Sequence, residues 1–141
     1  VLGVSSGYNV LWEAGLLPGS LVANEDLRFV SRPDRFTLES AATAWTSSFA
    51  QGESLRLPVK TGAGQYLASG AELDEVENSG RVVLRFAGTN PTGTARGIAG
   101  VSNEAGNVVG LLAAPENAVE PGFGPSTDGR GFFAPVLGAR A

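Results

Sequence analysis

The chain reads as a mixed α/β domain, and three observations predict it. Its first four residues, Val1-Leu2-Gly3-Val4, are all apolar, the mark of a strand covered on both faces as in a parallel sheet. They run through Ser5-Ser6-Gly7 into an amphipathic stretch reaching Leu17, a strand-turn-helix start. Further along, Ser54–Lys60 alternates apolar and polar residues, and Arg81–Phe86 is rich in β-formers. At 141 residues the expectation is a single domain over 1–141 with a buried core.

Each element follows in order. The first helix is predicted over about Gly7 to Ala14, ended by Gly15-Leu16-Leu17-Pro18-Gly19. From Leu27 to Glu39 loose alternation interrupted by Pro33 predicts two extended pieces, one at a sheet edge. Ser54–Lys60 is a half-buried strand running into a Gly62-Ala63-Gly64 loop. Ala71 to Asn78 is a short acidic helix closed by Ser79-Gly80, and Arg81–Phe86 is the next strand. Asn90-Pro91-Thr92-Gly93 is a turn. Ile98–Ser102 and Asn107–Leu112 flank Asn103–Gly106 as a hairpin. A Gly- and Pro-rich loop from Glu120 to Gly131 leads to a terminal helix at Phe132–Leu137. Trp12, Trp45 and Phe132-Phe133 are expected in packing roles.

Composition narrows the function classes. Net charge is −4 with a pI near 4.8, and Lys and Arg stand singly, so no basic stripe for nucleic acid or an anionic membrane exists. No apolar run reaches the roughly 20 residues of a membrane helix, and no leader is apparent, so the cytoplasm is the expected setting. Cys, His and Met are all absent, a combination that points to engineering or to an excised segment. Without thiols or imidazoles the usual zinc, haem and iron–sulfur sites cannot form, and the carboxylates lack EF-hand spacing. No metal and no cofactor are expected.

The chemistry-bearing motif is Gly3-Val4-Ser5-Ser6-Gly7, a Gly-x-Ser-x-Gly elbow with Ser5 at its apex. The glycines are expected because the chain passes closely there and a Cβ would obstruct it. A serine hydroxyl attacks only when a neighbouring base takes its proton, and this chain has no histidine. Read from residues alone, Ser5 is foremost a tight turn whose hydroxyl bonds locally. Gly62-Ala63-Gly64 and Gly129-Arg130-Gly131 lack the Gly-Lys-Ser/Thr ending of a phosphate loop and read as loops.

The elbow segment through Gly19, the Ile98–Gly110 block, Pro115-Glu116 with Ala118–Pro121, and Thr127-Asp128-Gly129 together resemble the class I (triad) glutamine amidotransferases. The nearest branch is the glutaminase subunits of phosphoribosylformylglycinamidine synthase, in purine biosynthesis. The resemblance implies a mixed sheet like the C-terminal part of that fold. It places the family's nucleophilic cysteine at Ser5, its triad histidine at Ala114 and its triad glutamate at Glu116. It also places glutamine-contacting positions at Ser6, Gly7, Asn9, Thr61 and Gly62, with Asn9 one methylene shorter than the family's glutamine. Thr61-Gly62-Ala63-Gly64 stands where the family has His-Gly-Glu-Gly, and Ser31 and Ser102 occupy positions where relatives often carry cysteine. In the family the elbow lies mid-chain after a glycine-rich loop that supplies half the oxyanion hole, so the expectation here is an N-terminally trimmed domain keeping one donor, the Ser6 N–H.

The expected function is therefore a catalytically inactive amidotransferase-like domain with a structural or assembly role. The alternatives are a pseudoenzyme or binding module keeping a glutamine-sized pocket near Ser5, Asn9 and Glu116, and, ranked last, a weak serine hydrolase using Glu116 as base. Expected partners are a second copy, joined through the open edge at Val1–Val4, or a synthase subunit, as the resemblance implies.

Overall fold

The computed structural model describes residues 1–138. Its strands are β1 (Leu2–Val4), β2 (Ser20–Val22), β3 (Val30–Leu38), β4 (Ser54–Thr61), β5 (Gln65–Leu67), β6 (Val82–Phe86), β7 (Ile98–Ser102) and β8 (Val109–Leu111). The helices are α1 (Ser6–Glu13), α2 (Gly70–Asn78) and α3 (Arg130–Gly138). A 3-10 turn spans Pro115–Asn117.

The main sheet has the order β1-β8-β7-β6-β3-β4. Only β1 and β8 are parallel, with Leu2 opposite Val109 and Val4 opposite Leu111, and the remaining pairs are antiparallel. The alternating directions place the carboxyl ends of β1, β8 and β4 at the same end of the sheet. The sheet also curls: beyond β8, Ala113 bridges Val59 of β4, and the Ala114 N–H donates to the Pro58 carbonyl at 2.9 Å. This closure fills the interior with Phe36, Leu57, Val59, Leu84, Ile98 and Leu111, all fully buried. The mixed α/β sheet with a strand-elbow-helix start is as the sequence predicts.

Local chemistry explains the elements. Ser69 caps α2: its hydroxyl oxygen accepts from the Glu72 N–H at 3.2 Å, and the hydroxyl donates to the Glu72 carboxylate at 3.2 Å. Gly15, at φ +73°, follows α1 and supplies the left-handed turn that ends it. The aromatic rings of Tyr8, Trp12 and Tyr66 stack in sequence, with centroids 5.9 and 5.2 Å apart, and fasten α1 over the sheet.

Three points differ from the sequence reading. Pro33 does not divide its region into two pieces, because β3 is one nine-residue strand paired along its length with β4. Pro33 lies opposite Pro58, whose carbonyl points away from β3 toward Ala114, so neither proline is asked for an N–H in this ladder. β3 is an edge only in its first part, as the proline suggested: Phe36–Leu38 pairs with β6, whereas Val30–Asp34, with Pro33, has β4 as its one strand partner among the described residues. Second, β2 and β5 form a separate two-stranded antiparallel sheet that the sequence pattern does not reveal. Third, Arg130 and Gly131 belong to α3, not to a loop, and a Cβ on Gly131 would lie 2.2 Å from the Phe49 ring, so α3 docks there at close range. Among the described residues no helix is long and apolar enough to cross a membrane.

Candidate functional site

The elbow forms as the motif predicts. Ser5 stands between β1 and α1 with φ 50° and ψ −115°, a conformation that L-residues adopt only under constraint. The constraint is visible on both sides: its N–H donates to the Leu111 carbonyl at 3.1 Å, and its carbonyl accepts the Tyr8 N–H at 3.1 Å. The Ser5 hydroxyl does not bond locally. Its Oγ is buried without a hydrogen-bond partner, which corrects the expectation of a locally satisfied turn serine. The two elbow glycines also differ. A Cβ on Gly3 would come within 2.5 Å of Leu11 Cδ1 and 2.6 Å of the Gly7 carbonyl oxygen, whereas one on Gly7 would meet nothing within 4 Å.

Beside the elbow lies a cleft of about 350 Å³ lined by Ser6, Asn9, Phe29, Lys60, Thr61, Gly62 and Ala63. The structure thus brings together four of the predicted glutamine-contacting positions, Ser6, Asn9, Thr61 and Gly62. Gly7 is not among the lining residues. Ser6 and Asn9 come from the first turns of α1, and Thr61 and Gly62 from the carboxyl end of β4, so residues far apart in sequence meet because α1 starts and β4 ends on the same side of the sheet. The helix start leaves N–H groups without intrahelical partners, suited to an oxygen-rich ligand. Sequence reasoning missed Phe29 and Lys60, which carry no local signal. The Lys60 ammonium donates to the Asn117 side chain, so the cleft rim is joined to the turn after Ala114.

The two other residues to which the resemblance assigns triad roles, Ala114 and Glu116, lie elsewhere. Ala114 is fully buried, its backbone holding the chain to Pro58, and its methyl group can neither accept nor give a proton. Glu116 is exposed on the 3-10 turn and borders a different, strongly apolar cavity of about 410 Å³ with Leu2, Val4, Trp45, Phe133, Val136 and Leu137. The expected pocket uniting Ser5, Asn9 and Glu116 is therefore corrected: Asn9 and Glu116 line separate cavities. The physical reason is the 3-10 turn at Pro115–Asn117, which carries Glu116 outward as Pro115 packs inward. Among the described residues no three acidic side chains gather closely enough to hold a metal ion.

Residues 1–130 match the family model of the CobB/CobQ-like glutamine amidotransferase domain. The chain belongs to this family. The PurQ subunit of phosphoribosylformylglycinamidine synthase from Nocardia farcinica is 53% identical over 137 residues, covering 97% of this chain and 61% of the relative. The corresponding subunit from Rhodococcus jostii is 51% identical with the same coverage. The PurLQS structure from Thermotoga maritima superposes with a TM-score of 0.86 at 35% identity, over 99% of this chain and 61% of that one. The chain spans about three-fifths of the length of these relatives. A GMP synthase component from Thermoplasma acidophilum shares the fold with a TM-score of 0.58 at 10% identity. The amidotransferase resemblance drawn from the elbow and the later blocks is thus shown, as is the fold it implied.

Proposed function

We propose that this domain holds an amino-acid-sized cleft of the glutamine-binding kind but does not turn glutamine over. One observation carries the reading: Ser6, Asn9, Thr61 and Gly62 surround a single cleft, while the neighbouring Ser5 hydroxyl has no partner to take its proton. An alcohol is a poor nucleophile unless a base is within hydrogen-bond reach. The position of the family's histidine is a buried alanine, and Glu116 faces another cavity, so the weak serine-hydrolase reading has no base to call on. With no activated nucleophile and no proton donor for the departing ammonia, acyl transfer loses its two largest proton-transfer contributions.

The preserved cleft raises the binding-module alternative above a purely structural role. In that reading the domain occupies the place of a glutaminase subunit in purine biosynthesis, works in the cytosol and docks on a synthase partner. The decisive experiment measures ammonia release from glutamine alongside calorimetric titration with glutamine. Binding without release supports the proposal. Release above the protein-free blank that disappears in Ser5→Ala would overturn the catalytic half, and absence of heat at millimolar glutamine would overturn the binding half.

A second observation favours self-association. β1 is the outermost strand of the main sheet, and the backbone groups of Val1, Gly3 and Ser5 are directed at β8, which leaves those of Leu2 and Val4 on the open side beside the apolar cavity. Unpaired strand edges recruit other strands. Light scattering across a concentration series should show a dimer, and a constant monomer mass would remove this reading.

A further inference from the structure

From Val22 to Phe29 the chain runs along the surface, with a single exception. Asn24 is fully buried although each of its neighbours in that stretch is exposed. A buried side-chain amide is costly unless its donors and acceptor are all answered, and here they are. Its Nδ2 donates to the carbonyls of Arg28 at 2.6 Å and Thr61 at 2.9 Å, and its Oδ1 accepts the Gly64 N–H at 2.8 Å. Its backbone adds two more bonds: the Asn24 N–H donates to the Gly62 carbonyl at 3.0 Å, and its carbonyl accepts the Leu27 N–H at 2.9 Å.

These partners are not scattered. Thr61, Gly62 and Gly64 belong to the loop that walls the cleft, and Arg28 immediately precedes Phe29, the aromatic wall. The Phe29 ring stands over Gly62, close enough that a Cβ added there would meet it at 3.5 Å. The 24–29 turn does not adopt this shape by its own preference. Leu27 is held at φ 59° and is 82% exposed, a conformation that a branched apolar residue takes only when something else fixes it.

We infer that Asn24 is a positioning residue, the clamp that sets Phe29 against the Thr61–Gly64 loop and so shapes the cleft for a small amide-bearing amino acid. The ligand class rests on the cleft reading proposed above; the clamp itself rests only on the hydrogen bonds. Asn24 does not line the cleft and acts through the backbone of Arg28 and Thr61.

The test uses Asn24→Asp, which keeps the acceptor for Gly64 but turns an oxygen toward two carbonyls that need a donor. Amide hydrogen exchange is followed by NMR at residues 24 and 27, with Ser102 and Glu39 as references, since their N–H groups donate to the Arg81 and Val83 carbonyls, outside the clamp. We expect exchange at residues 24 and 27 to accelerate about tenfold or more while the references stay within about twofold. The amides of Gly62 and Ala63 are then titrated with glutamine, and the variant should need about ten times more ligand for the same shift. Uniform acceleration at all four amides means that Asn24 merely fills space, and unchanged exchange means that it clamps nothing; either overturns the inference, as does unaltered glutamine response in the variant. If wild-type amides do not respond to glutamine, the cleft reading falls and the exchange contrast alone decides the clamp. Should Asn24→Asp fail to fold, Phe29→Ala at an exposed site serves instead: glutamine binding undiminished in it would overturn the assigned role of the Phe29 wall.

Discussion

Gly3 of β1 and Leu11 of α1 approach so closely that a single added carbon on Gly3 would sit 2.5 Å from Leu11 Cδ1. The contact decides which elbow glycine is indispensable. Gly3→Ala must push α1 off the sheet and should cost about 1–3 kcal/mol, the range for overfilling a packed site. Gly7→Ala should do the opposite, because its Cβ would enter open space inside a helix, where alanine is favoured over glycine by up to about 1 kcal/mol. Urea midpoints of the two variants, moving in opposite directions, check the pair.

Ser5 stores strain that no other part of the elbow uses for chemistry. Its left-handed φ and unpartnered buried hydroxyl are both unfavourable. Ser5→Gly relieves both and should raise stability by about 1–2 kcal/mol, while Ser5→Ala relieves only the hydroxyl and should gain less than about 1 kcal/mol. Denaturant unfolding measures both. A loss of stability in Ser5→Gly would mean that the hydroxyl has a partner in solution.

Arg85 joins three elements, and its loss should be felt more than that of a simple surface pair. Its Nε meets Glu39 at 2.7 Å, one terminal nitrogen meets Glu77 at 3.3 Å, and the other donates to the Arg96 carbonyl at 2.6 Å. With the Arg85 side chain 27% exposed, solvent screening limits the expected cost of Arg85→Gln to about 1 kcal/mol. Arg32→Gln breaks one pair, with Asp34, from a side chain that is 47% exposed, and should cost less. Thermal unfolding in low and in 1 M salt separates the two, since part of the Arg85 effect should fade with screening.

These contrasts also show what the sequence could and could not say. Apolar runs and turn residues made β1, α1, α2, β4, β6 and the β7–β8 hairpin legible because their signals are local. Pro33 misled because its missing N–H matters only if the partner strand asks for it, and the opposite residue is Pro58. The β2–β5 pair was invisible because Ser20–Val22 and Gln65–Leu67 each begin on a polar residue and show no apolar run, unlike the equally short but wholly apolar β1 and β8. At the cleft, the elbow residues Ser6 and Asn9 and the loop residues Thr61 and Gly62 were reached through family resemblance. Asn24, Phe29 and Lys60 were not, since burial of a loop asparagine and the convergence of β3 and β4 ends are tertiary facts. Glu116 was misplaced for the same reason: a 3-10 turn rotates it away from Asn9.

The two tyrosines, Tyr8 and Tyr66, give a pH dependence whose sign follows from burial. Burial pushes the Tyr66 phenol up to about 12, with Glu72 adding to the shift, and holds the Tyr8 phenol still further above its ordinary value. Each folded phenol therefore keeps its proton at pH values where the unfolded chain has released it, above about 10. The folded state then binds more protons than the unfolded one, so stability is intact below pH 10 and falls as pH rises through 10 to 12 and beyond. Tyr66→Phe should flatten the first part of that fall, at a cost of about 1 kcal/mol near neutral pH for the lost bond to the Pro18 carbonyl. Tyr8→Phe should flatten the fall at a smaller cost, because the buried Tyr8 hydroxyl has only the neighbouring Trp12 indole beside it, outside good hydrogen-bond geometry. Urea unfolding repeated from pH 8 to 11.5, with tyrosinate absorbance recorded in parallel, tests both; an equal neutral-pH cost for the two variants would contradict the hydrogen-bond assignment.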